Sequence, residues 1–139
     1  MMTMQWQRFS NPMYGANQSD ELDDFEQQYF ETALWSTVDA DTEKSLDDCV
    51  GVEELREQMP EWFAEQRRDI ADFRKSNAKL LAQAGDDGQN GYDFWLTREG
   101  HGAGFWDRGY GVVGDKLTDA AHVYGGAGDA ISIGLVCEE

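Results

Sequence analysis

Asp86-Asp87-Gly88-Gln89-Asn90-Gly91-Tyr92-Asp93-Phe94-Trp95-Leu96-Thr97 is the stretch on which the fold class turns. Its first half has the composition of a tight turn, because Gly and Asn tolerate positive φ and Asp side chains bond their own backbone. Its second half is aromatic-rich, which favours a pleated, half-buried strand. Tyr92–Thr97 is therefore predicted to be a strand, followed by a glycine-rich connection and a second strand at Phe105-Trp106. Ala130–Cys137, rich in Ile and Val, is predicted to be a final strand.

The segments upstream carry helical periods instead. Leu22, Phe25, Tyr29 and Ala33 fall on one arc of a helix running to about Thr37, with Phe30 at its edge and Ser19 or Asp20 as its cap. Asp20, Asp24 and Glu31 lie opposite, on a solvent face. Residues 38–51 read as an acidic loop, and Glu53–Met59 as a short helix. Pro60 suits a first helical turn, so a long amphipathic helix is predicted from there to Ala84, stopped by Gly85. Trp62, Phe63, Ile70, Phe73, Leu80, Leu81 and Ala84 share about 100° of its circumference. Gln66 and Asn77 lie in the same stripe, and burial there requires each to find a partner, expected to be loop backbone. Lys116–Tyr124 reads as a short helix capped by Asp115 and stopped by Gly125. Helices first and strands later predict an α+β fold, with N-terminal helices packed on a small, mainly antiparallel β-sheet. Residues 1–18 lack a period and are expected to form a flexible arm before a single domain over 19–139.

The 139 residues include 7 Phe, 5 Trp and 5 Tyr, enough large side chains to fill one core, and carry a net charge of −17. That charge disfavours nucleic acid and anionic membrane and favours basic partners. It is unevenly spread: Asp20 to Glu57 holds 14 acids against Lys44 and Arg56. If these segments adjoin, they form a continuous negative surface able to imitate a row of phosphates in a basic groove. Asp20, Asp24, Glu31, Asp39, Asp41, Asp47 and Asp48 are the candidate partner contacts. An ordinary solvated face is the competing reading.

Cys49 and Cys137 have no metal or redox spacing, no apolar run approaches a membrane span, and the N-terminus lacks a secretory pattern. These features lead to the expectation of a cytoplasmic protein with free thiols, although a bridge between the two cysteines is geometrically possible and sequence alone does not decide it.

Tyr92-Asp93-Phe94-Trp95-Leu96-Thr97-Arg98-Glu99-Gly100-His101-Gly102-Ala103-Gly104-Phe105-Trp106-Asp107-Arg108-Gly109 resembles the hallmark of a family of short acidic bacteriophage proteins of unknown function. The resemblance continues through Gly114-Asp115-Lys116-Leu117-Thr118, Ala120-Ala121 and Tyr124-Gly125. Upstream it takes in Ala33-Leu34-Trp35-Ser36-Thr37, Pro60-Glu61 and Asp72-Phe73. It covers most of residues 29–125, and it departs at the tail and at the acidic insert Glu53–Met59. It implies a phage origin and the host-cell cytoplasm as location, and it brings no activity or active site with it.

Within the signature, Asp93, Trp95, Arg98, His101, Trp106, Asp107 and Arg108 are the residues that admit either a functional or a structural role. An enzymatic reading makes His101 a general base oriented by Asp93 or Asp107. A metal reading joins His101 and His122 to an Asp. Neither has a recognised spacing, and no Ser or Cys stands in a nucleophile context. A structural reading instead places Trp95 and Trp106 across a hairpin with Asp107 and Arg108 at its ends. Gly-His-Gly-Ala-Gly lacks the Lys-Ser/Thr of a phosphate loop. The Asp39-Ala40-Asp41-Thr42-Glu43-Lys44 run places Lys44 where an EF-hand needs Gly, and Val50 where it needs a carboxylate. The sequence therefore predicts no cofactor, no metal and no enzyme. The expected function is an accessory protein that binds and inhibits a basic host nucleic-acid-handling protein, of the anti-CRISPR or anti-restriction type. Two alternatives remain open: a small hydrolase or ligand-binding protein using His101 and Asp107, and a virion or assembly component.

Overall fold

A computed structural model describes residues 21–39 and 42–135. Seven α-helices follow one another: α1 (Asp24–Ser36), α2 (Val52–Gln58), α3 (Pro60–Ser76), α4 (Ala78–Ala82), α5 (Asp87–Glu99), α6 (Val112–His122) and α7 (Gly128–Gly134). Single 3-10 turns lie at Leu46–Asp48 and Phe105–Asp107. Among the described residues the sole β pairing is an isolated bridge between Val38 and Ser45. The expected α+β fold is thus corrected to an all-helical one. The flexible arm, Ser19 and Asp20 lie outside the described residues.

The correction centres on α5. Asp86 accepts a hydrogen bond from the backbone N–H of Gln89 at 2.9 Å, so the predicted turn is a helix N-cap. Gly100, at φ 75°, ends the helix in the left-handed conformation that glycine adopts freely. Gly91 is no turn residue. A Cβ there would fall on the carbonyl oxygen of Phe25 and 2.9 Å from its carbon, so the missing side chain is what lets α5 lie against α1. Phe94, Trp95, Leu96, Thr97 and Arg98 are all buried. A helix enclosed on nearly every side loses its polar stripe, so its period of 3.6 is not visible in the sequence.

Gly91→Ala is expected to destabilise the protein by about 1–3 kcal/mol, because overpacking at backbone outweighs the usual helix preference of alanine of up to ~1 kcal/mol. Urea unfolding monitored by far-UV circular dichroism measures it.

The other strand predictions fail for related reasons. Phe105-Trp106 forms a 3-10 turn in which Asp107 accepts from the Gly104 N–H at 3.1 Å. The described part of Ala130–Cys137 belongs to α7 and the residue that caps it, Leu135. Among the helices, α1 begins at a capping box, with Asp23 accepting from the Glu26 N–H and Glu26 accepting from the Asp23 N–H. The long helix breaks at Asn77, whose side-chain amide and backbone N–H both donate to the Phe73 carbonyl. Asn77 therefore bonds its own helix and not a loop. Helix α6 starts at Val112 with Gly111 at its cap, so Asp115 sits in its first turn.

One aromatic core joins these helices. Phe73 stacks on Phe94 at 4.0 Å and Phe30 on Phe63 at 3.9 Å, while Tyr29 meets Trp95 edge to face. The predicted stripe of α3 is buried at Trp62, Phe63, Gln66, Ile70 and Phe73. Arg67 is also buried there, paired with Glu26 of α1 at 2.8 Å. Cys49 is disulfide-bonded, contrary to the expected free thiol; Cys137 lies outside the described residues. No helix among the described residues is long and apolar enough to cross a membrane.

Candidate functional site

Helix α1, the 3-10 turn after it and the start of α2 enclose a groove of about 580 Å³. Glu31 comes from α1, Asp47 from the turn, and Glu53 and Glu54 from α2. All four are exposed at the rim, over a floor that includes Leu34 and Val50. Gly51 is the extended N-cap of α2, and the Glu54 carboxylate turns back to accept its N–H at 2.7 Å. Glu31 accepts from Gln27 at 2.7 Å, which steadies it one turn along α1. Trp35 also lines the groove; 41% exposed, it stacks on Tyr92 at 5.9 Å. The Arg108 guanidinium sits 5.5 Å over the other partner in that pair, the Tyr92 ring.

The seven candidate contacts separate clearly. Glu31 and Asp47 meet in the groove, while Asp24 and Asp48 are exposed but outside its lining. Asp39 is only 5% exposed, and its carboxylate accepts from the Thr42 N–H at 2.7 Å, so it folds its own loop. Asp20 and Asp41 lie outside the described residues. Glu53 and Glu54 were counted in the acidic half but not singled out, because no sequence period ties α2 to α1. The exposed Trp35 was likewise missed. Four like charges around a partly apolar floor suit a cationic, partly apolar partner surface.

None of the signature residues lines this groove. Arg98, 7% exposed, donates to the carbonyls of Gly125 (2.8 Å) and Tyr124 (3.1 Å), and to Tyr29 Oη, Gln66 Oε1 and Asp69 Oδ2 at 3.0, 3.2 and 3.1 Å. Gln66 thus bonds side chains, not the loop backbone expected of it. Trp95 is buried and donates its indole N–H to Ser36 Oγ at 2.8 Å. Trp106 is 51% exposed, so the two tryptophans do not face each other across a hairpin. His101 and His122 are exposed, and Asp107 uses an oxygen on the Gly104 N–H. Among the described residues no three His, Cys, Asp or Glu side chains gather as a metal site would need.

Asp93 is fully buried, and it accepts from Arg108 at 2.8 Å and from Gln89 at 3.2 Å. Burial raises its pKa above the ordinary carboxyl value, and these two donors partly offset that rise. Arg108→Met would leave the buried carboxylate with Gln89 alone and raise its pKa further. The expected cost is about 2–3 kcal/mol at neutral pH. A carboxyl whose folded-state pKa is raised gains relative stability as pH falls through that pKa toward the unfolded value. The deficit relative to wild type should therefore narrow in acid, and parallel urea titrations from pH 7 to pH 4 measure it.

Comparison of the chain with protein-family models, with curated proteins and with solved structures finds no match.

Proposed function

We propose that this chain is a non-enzymatic bacteriophage accessory protein that inhibits a basic, nucleic-acid-handling host protein, of the anti-restriction or anti-CRISPR type. The observation that carries the reading is the groove in which Glu31, Asp47, Glu53 and Glu54, from three separate elements, surround Trp35 and an apolar floor. Carboxylates at the rim steer a basic surface inward and occupy the sites that phosphates would take. The exposed tryptophan adds the desolvated aromatic anchor on which interface affinity commonly rests. The net charge of −17 extends the same field beyond the groove. Such a target places the chain in the host cytoplasm, where the Cys49 disulfide would face a reducing thiol pool. The hydrolase alternative lacks comparable support, since His101 is exposed and Asp107 spends an oxygen on the Gly104 N–H of its own turn.

The test is affinity capture from host lysate at low salt and at about 0.5 M salt, where the screening length falls to a few ångströms. Nucleic-acid-binding proteins should be retained at low salt alone, and added DNA should compete for them. Retention of proteins with no nucleic-acid affinity, or retention indifferent to salt, would count against the proposal.

A further inference from the structure

A second groove lies away from α1, between α3, the end of α5 and the segment from Tyr124 to Ala130, with a volume of about 730 Å³. Four carboxylates line it, and they are not equivalent. Asp69 is engaged by Arg98 at 3.1 Å. Glu99 spends both oxygens on the backbone N–H groups of Ala127 and Gly128, at 2.5 and 3.0 Å. Glu65 and Asp129 are exposed, and neither has a hydrogen-bond or ion-pair partner among the described residues. Arg98, the cation in the lining, is already committed to its five acceptors. The groove therefore holds uncompensated negative charge.

A second observation points to a ligand independently of that charge. Gln66 also lines the groove and is only 3% exposed. Its Oε1 accepts from Tyr29 at 2.6 Å and from Arg98 at 3.2 Å. Because a guanidinium can only donate, these contacts fix which end of the amide faces Arg98. The Nε2 group is left over, a buried donor with no acceptor among the described residues. Buried donors are almost always paired, so an orphan in the wall of an open groove marks a place for an incoming acceptor.

We infer that this groove binds a cationic side chain of a peptide, its charged head between Glu65 and Asp129 and a backbone carbonyl accepting from Gln66 Nε2. The cation answers the unpaired carboxylates, and the carbonyl answers the orphan donor. A guanidinium fits best, because its planar fork presents five donors to acceptors spread over two elements. This site is independent of the α1 groove, and either can fail without the other.

The test is an NMR titration of the full ¹⁵N-labelled chain with Nα-acetyl-L-arginine N-methylamide, and with the uncharged citrulline analogue of the same shape. Saturable shifts of the Gln66 side-chain amide and of the Gly126 and Gly128 backbone amides are expected. The citrulline compound should bind at least about tenfold more weakly, since tenfold corresponds to loss of one modest ionic contact. Glu65→Gln combined with Asp129→Asn should weaken the arginine probe by a similar factor while the rest of the spectrum stays in place. A lysine probe that shifts the same amides also supports a cation site. Equal binding of the citrulline analogue, no saturable shift at Gln66, or shifts confined to the α1 groove would overturn the inference.

Discussion

Arg98→Ala is expected to cost on the order of 3–5 kcal/mol, the range for removing one member of a buried charged network. The guanidinium joins α1 through Tyr29, α3 through Gln66 and Asp69, and the turn after α6 through the Tyr124 and Gly125 carbonyls. It also lies 5.6 Å from the centroids of both the Phe94 and Tyr124 rings. Removing it leaves the buried Tyr29 hydroxyl and Gln66 amide short of a donor, each at a desolvation cost, and unpins the Asp69 carboxylate and the Tyr124 and Gly125 carbonyls, which water can reach. A domain of this size has roughly 5–15 kcal/mol of stability in all, so the variant should be folded only marginally. Arg98→Lys should recover little. One ammonium cannot span acceptors that a planar fork reaches from two sides. The urea midpoint reads the effect, and a loss below about 1 kcal/mol would show that the network is not what joins these helices.

The second large effect concerns binding. Glu31→Lys, Asp47→Lys and Glu53→Lys together reverse three of the four carboxylates in the α1 groove. Glu54 is kept because its carboxylate accepts the Gly51 N–H, and replacing it would disturb the start of α2. The three chosen positions are exposed, where substitutions usually change stability by no more than ~0.5 kcal/mol. Affinity for a basic partner should fall at least about a hundredfold, equivalent to ~2.8 kcal/mol, because attraction becomes like-charge repulsion at the rim. The change should lie partly in the association rate and shrink as salt is added. Asp39→Asn is the contrasting variant. Asp39 is buried and holds its own loop, so the change should affect stability more than binding.

What the sequence revealed follows from which periods survive burial. Helix α3 has one buried and one exposed face, so Trp62, Phe63, Ile70 and Phe73 mark it plainly. In α5 the same rule fails, since Asp93 through Arg98 are buried all round and the string resembles a buried strand. Asn90-Gly91 looks like turn punctuation, yet Asn90 donates to the Leu81 and Gly85 carbonyls and Gly91 marks a close helix crossing. Only tertiary contact separates these meanings. The site was legible to a similar degree. Local charge density pointed to the acidic half and hence to Glu31 and Asp47. It could not show that Asp39 turns inward, that Glu53 and Glu54 of α2 meet Glu31, or that Trp35 stays exposed among them.

The most direct measurement is a competition in which the captured host protein is bound to fluorescent duplex DNA and this chain is added. Displacement of the DNA by the wild-type chain, absent with the Glu31→Lys, Asp47→Lys, Glu53→Lys variant, is the predicted result. Simultaneous binding of DNA and wild-type chain, or equal displacement by the reversed variant, would contradict the proposal that this acidic groove takes the place of nucleic acid.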